Sequence, residues 1–135
     1  MAIKQNNKIE IEEIEIRVNE IVCFGDFQIE LVKIDMDQVD YTERNCYYFN
    51  PTIIKNQMAL RSWKIGDKMQ PMGMKGTKKV SDIFIDGKID NDRKNDFPVL
   101  VSNDEIYAIL GLKRSAHFLL GESETAIKIS WDTLN

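Results

Sequence analysis

Between Phe27 and Leu31 apolar and polar side chains alternate one for one, with Phe27, Ile29 and Leu31 set against Gln28 and Glu30. A period of two sends alternate side chains to opposite faces, so this stretch reads as a strand with one buried face. Gly25-Asp26 supplies the turn before it. The same alternation runs through "KIEIEEIEIRV", where Ile9 and Ile11, then Ile14, Ile16 and Val18, keep step on either side of a one-residue slip at Glu12-Glu13. A slip of that kind predicts a bulged strand or two short ones, with the glutamates facing water.

Further apolar runs predict more strands: "CYYFN", ended by Asn50-Pro51, then "MALRSW", "FPVLVS", "EIYAILGL" and "TAIKISW". Asn103-Asp104 is a hairpin turn signal between two of them. Helical spacing enters once, where Val80, Ile83 and Phe84 fall at i, i+3 and i+4, with Gly87 as the stop. The pattern predicts a mainly β domain with one or two helices, arranged as a sandwich or partly open barrel with a helix on one face. At 135 residues the chain is sized for a single domain, residues 1–135.

No run of 18 apolar residues is present, and "MAIKQNNKIE" lacks the apolar segment of a secretion signal. The sequence therefore predicts no membrane association and a cytoplasmic protein. Cys23 and Cys46, both in apolar or aromatic surroundings, read as reduced core thiols.

Charge is unevenly spread. The chain carries a formal −4, yet residues 61–94 hold 9 basic and 5 acidic side chains, a local +4. Arg61, Lys64, Lys68, Lys75, Lys78 and Lys79 crowd a segment whose one acid is Asp67. Gly66, Pro71, Gly73 and Gly76 interrupt the same segment and argue against regular structure there. Glycines let backbone amides converge, and the first turn of the helix after Lys79 adds free N–H donors, so an anion site is expected on "QPMGMKGTKKVSDIF". The competing reading is a tight connection with lysines lining it. A nucleotide loop of the Walker type is excluded, because Gly73 and Gly76 lie three apart and Gly76 leads into Thr77-Lys78.

No catalytic residue and no metal ligand set emerges. His117, the single histidine, lies far in sequence from both cysteines, no nucleophile elbow surrounds Ser81 or Ser115, and the carboxylates alternate with isoleucines on solvated faces. Met69, Met72 and Met74 read as packing for the loop, and Trp63, Tyr47 and Tyr48 as core or interface residues rather than base-stacking ones.

From Arg61 onward the chain resembles the C-terminal domain of tRNA(Ile)-lysidine synthetase. The resemblance rests on Arg61, Gly66-Asp67, Pro71 with Gly73-Met74, Gly76 with Lys78-Lys79, Ser81-Asp82, Pro98 and Gly111, in that order. It covers residues 61–135 best and the first 60 residues loosely. What the resemblance implies is a three-layer β/β/α fold and a C-terminal tRNA-binding domain of a larger ligase, which joins lysine to the anticodon cytidine of tRNA(Ile). ATP and magnesium would belong to a PP-loop domain whose Ser-Gly-Gly-x-Asp-Ser motif is absent here, so this chain has no cofactor of its own and does no chemistry alone. The implied partners are the tRNA(Ile) acceptor stem and the PP-loop domain, with a homodimer possible. Phosphate contact falls to Lys75, Lys78 and Lys79, joined by Arg61, Lys64 and Lys68. Lys113, Arg114 and His117 stand where family members carry arginines, and Lys113 and Arg114 join the phosphate contacts that the resemblance implies. A contrasting expectation is a structural or dimerisation domain that packs on the catalytic domain without touching RNA.

Overall fold

The computed structural model describes residues 13–134. The start of the alternating N-terminal stretch, including Ile9, Ile11 and the slip at Glu12, lies outside them. Among the described residues the chain runs β1 (Ile14–Ile16), β2 (Glu20–Phe24), β3 (Phe27–Asp35), β4 (Cys46–Phe49), β5 (Met58–Arg61), β6 (Lys68–Met69), β7 (Lys78–Lys79), α1 (Val80–Asp86), β8 (Val99–Ser102), β9 (Glu105–Ile109), β10 (Lys113–Arg114) and β11 (Thr125–Thr133). Short 3-10 turns follow β3, β4 and α1.

The strands form three antiparallel sheets: β1-β5-β8-β9-β10, β2-β3-β11-β4 and the small ribbon β6-β7. The two larger sheets pack face to face. Ile29 and Leu31 from β3 and Ile127 and Ile129 from β11 meet Leu60, Leu100 and Ala108 from the opposite sheet. The other face of the five-stranded sheet is covered too: Val99, Val101, Ile106 and Ile109 pack beneath Val80, Ile83 and Phe84 of α1. Both faces of β8 are thus buried, which is why "VLVS" reads as a continuous apolar run. The result is the three-layer β/β/α arrangement, with one α-helix among the described residues.

Two local features adjust the layers. The Asn103-Asp104 turn has φ of 49° and 67°, the pair of positive values that a two-residue hairpin of the primed type needs. Between Leu100 and Val101 the β8–β9 register slips, so that Tyr107 is an extra residue on β9. This bulge turns both Tyr107 and Ala108 toward the inter-sheet core, where strict alternation would have sent one of them away.

α1 stops at Gly87, but not for want of positive φ. Gly87 has φ −80°, and the following Lys88 takes the left-handed value of 56°. A Cβ at Gly87 would lie 2.9 Å from Leu112 Cδ1, a contact that the end of the leucine side chain can relieve by moving.

Candidate nucleic-acid interface

The basic segment is a folded unit. Lys64 to Asp67 form a tight turn in which the Asp67 N–H donates to the Lys64 carbonyl at 3.0 Å and Gly66 takes φ +97°. A second turn, Pro71 to Met74, closes with Met74 N–H donating to Pro71 O at 3.1 Å and Gly73 at φ +89°. In each turn the glycine sits at the third position, where a type II turn requires positive φ. β6, between the two turns, pairs with β7, beyond the second, so regular structure does occur in the stretch that the breakers seemed to exclude.

The expected backbone cradle is absent. The Met74 N–H is spent on its turn, the Val80 N–H donates to Asp67 O at 2.9 Å, and Gly76 does not adopt positive φ. α1 is seven residues long, has no side-chain cap, and already carries Asp82 in its first turn. The glycines serve turn geometry, and any anion binding falls to the lysine side chains.

Those side chains separate into two groups. Lys68 and Lys79 are directly opposite each other across the β6–β7 ribbon, both exposed. Like charges in that position repel, and neither ammonium has a hydrogen bond or ion pair among the described residues. Lys64 on the adjoining turn and Lys75 on the loop are likewise exposed. The preceding residue of β7 faces the other way: Lys78 is half-buried, pairs with Asp86 of α1, and lines a groove of about 250 Å³ with Met74, Ile83 and Lys113. Lys113 is exposed at one wall of that groove.

Two of the expected contact residues, Arg61 and Arg114, are held by protein partners. Arg61 is buried and holds Asp67 with both terminal nitrogens, at 2.9 and 3.1 Å, while Nη1 also donates to Ser62 O at 2.9 Å. Asp67 Oδ2 accepts the Lys64 N–H at 2.7 Å as well. The arginine and the Gly-Asp pair are therefore the bolt that fastens the lysine turn to the end of β5. Arg114 is equally occupied: its guanidinium stacks on Phe49 at 4.1 Å, and Nε and Nη2 donate to the carbonyls of Ser115 and His117 at 2.8 and 2.7 Å. Nη1 donates to Tyr48 O. Burial lowers its pKa. Arg61 is thus committed to Asp67, whereas Arg114 keeps one N–H on each terminal nitrogen unused among the described residues.

The aromatic residues sit largely as the strands imply. Trp63 packs edge-on against Phe84 at 5.5 Å, and Tyr47 lies 4.9 Å from Trp131. His117 packs on Tyr107 and lies 3.9 Å from the Glu105 carboxylate. The methionines divide: Met69 is buried, whereas Met72 and Met74 are exposed. Cys23 and Cys46 are both free thiols, and burial pushes the Cys46 thiol pKa up. Among the described residues no cluster of His, Cys, Asp and Glu is placed to hold a metal, and no helix is long and apolar enough to cross a membrane.

The fold is that of a TilS C-terminal domain: a crystal structure of one matches 93% of this chain and 99% of its own with a TM-score of 0.82, at 22% identity. The family model for the TilS substrate C-terminal domain matches residues 58–131, and the chain belongs to that family. The tRNA(Ile)-lysidine synthase of Caldanaerobacter subterraneus subsp. tengcongensis is 30% identical over 114 residues, covering 83% of this chain and 24% of that protein. The tRNA(Ile)-lysidine synthase of Parabacteroides distasonis is 33% identical over 122 residues, covering 87% and 24%. The similarity thus reaches well into the first 60 residues. The chain spans about a quarter of the length of the curated relatives it matches.

Proposed function

We propose that this chain is the RNA-holding part of a tRNA(Ile)-lysidine synthase and that its lysine ribbon grips the ribose-phosphate backbone of the tRNA acceptor stem. Catalysis, with ATP and magnesium, belongs on this reading to the part of the enzyme that the relatives carry beyond this chain, and the setting is the cytoplasm.

The observation that carries the reading is the facing pair Lys68 and Lys79. Two ammoniums held opposite each other on a two-stranded ribbon cost stability unless an anion comes between them. Lys64 and Lys75 extend the same charge along the loop, and lysines on mobile stems suit phosphates that are contacted for position and not for sequence. The acidic remainder of the molecule confines such contact to this one region.

Fluorescence anisotropy of this chain with a tRNA(Ile) transcript and with its acceptor-stem minihelix, across a salt series, tests the proposal. Replacing Lys68 and Lys79 by alanine is expected to flatten the slope of log K against log salt by about 1.4 to 1.8 for both RNAs. An unchanged slope, or no RNA binding by a chain that elutes as a tight dimer, overturns it in favour of a structural role.

A further inference from the structure

An aromatic cleft of about 440 Å³ opens beside the lysine loop, lined by Tyr41, Tyr47, Tyr48, Met72, Leu119 and Arg114. Tyr41, Met72 and Leu119 are exposed, an unusual grouping of large apolar surface. Arg114 is the uncommon feature. Its three bonds go to carbonyl oxygens, leaving one N–H on each terminal nitrogen without a partner among the described residues. The charges that act on it come from Tyr47 and Tyr41, and no carboxylate is among them. Glu43, the acid at the cleft, is held by Lys128 at 2.6 Å and by the Tyr48 hydroxyl. A half-buried guanidinium with spare donors and no counter-ion is complementary to an anion, and the tyrosines around it are complementary to a flat ring.

The cleft is also joined to the lysine surface. The Met72 N–H donates to Arg114 O at 3.1 Å and the Ala116 N–H to Gln70 O at 2.9 Å, so the loop that carries Lys75 forms one wall. We propose that this cleft takes a single unpaired nucleotide of an RNA, its base against the exposed ring of Tyr41 and its phosphate on the free N–H groups of Arg114. The identity of the strand rests on the RNA-binding reading above. The occupancy of the cleft stands on its own chemistry.

The test is an NMR titration of the labelled chain, following the Arg114 Nε–H and the rings of Tyr41 and Tyr48. The probes are a single-stranded hexanucleotide, a blunt RNA duplex, AMP and an acidic peptide. The hexanucleotide is expected to shift the cleft resonances, and the blunt duplex only those near Lys68 and Lys79. Tyr41→Ala, at an exposed position that leaves the fold intact, is expected to weaken hexanucleotide binding about tenfold and duplex binding not at all. Failure of the hexanucleotide to move the cleft signals, movement by the peptide in its place, or equal affinity for AMP and the strand would each overturn the proposal. Failure of the duplex at the lysines would count against the acceptor-stem reading alone.

Discussion

Arg61 and Asp67 meet end-on, Nη1 2.9 Å from Oδ2 and Nη2 3.1 Å from Oδ1, with their side chains only 9% and 13% exposed. A two-bonded pair in so dry a place fixes geometry: it ties the lysine turn to the last residue of β5. Removing one partner strands the other charge, so Arg61→Ala is expected to cost about 3 kcal/mol in urea unfolding. Asp67→Ala loses the acceptor for the Lys64 N–H as well. The double variant should cost clearly less than the two single losses combined, because the pair is lost only once. Additive losses would mean that the two residues act independently.

Asp104 occupies the second central position of the β8–β9 hairpin at φ 67°. Aspartate tolerates this left-handed conformation, and glycine adopts it without strain. Asp104→Gly should therefore stabilise the domain by about 0.5–1 kcal/mol, seen as a rise of a few degrees in Tm. Asn103→Val, a β-branched residue forced to φ 49°, should move Tm the other way.

What the sequence disclosed was local. The alternation of Phe27, Ile29 and Leu31, the Asn103-Asp104 turn and the helical face of Val80, Ile83 and Phe84 all depend on neighbours within four residues, and each forms as read. The strand Glu20–Phe24 lacks alternation because Val22, Cys23 and Phe24 are all buried, so no period marks it. The fate of the basic residues was hidden for a different reason. Arg61, Lys78 and Arg114 stand beside the exposed lysines in sequence, but their partners Asp67, Asp86 and the Tyr48 carbonyl are supplied by turn closure, helix packing and a strand of the other sheet. The facing of Lys68 and Lys79 depends on ribbon register, which two-residue strands between glycine turns do not announce.

Tyr47 should give the domain an alkaline limit. Burial pushes its phenol pKa up to about 12, above the ordinary value of 10. The folded state then keeps a proton that the unfolded chain releases, so this stabilisation is complete below pH 10 and lost as pH rises toward 12. At pH 11 the loss is about 1.4 kcal/mol relative to pH 8. Arg114, lowered by burial, contributes with the opposite sign, but it is present in both proteins when wild type is compared with Tyr47→Phe. Urea unfolding at the two pH values should show wild type losing more than the variant by about that amount; equal losses would place the tyrosine in water.

Charge reversal at Lys79 separates what the ribbon does for the fold from what it does for a ligand. In the native register Lys79 faces Lys68, and Lys79 also occupies the position just before the first turn of α1. Lys79→Glu turns a repulsive cross-strand pair into an attractive one and puts a carboxylate at the positive end of a helix. Both changes favour folding, by about 0.5–1 kcal/mol together. The same substitution places a negative charge where the phosphate reading requires a positive one, so affinity for the acceptor-stem minihelix should fall further than in Lys79→Ala. Measured side by side, a higher Tm with weaker RNA binding is the expected result, the trade that a site kept for binding and not for stability would show. A variant that loses stability while binding RNA as before would show that the facing ammoniums neither repel each other nor meet phosphate.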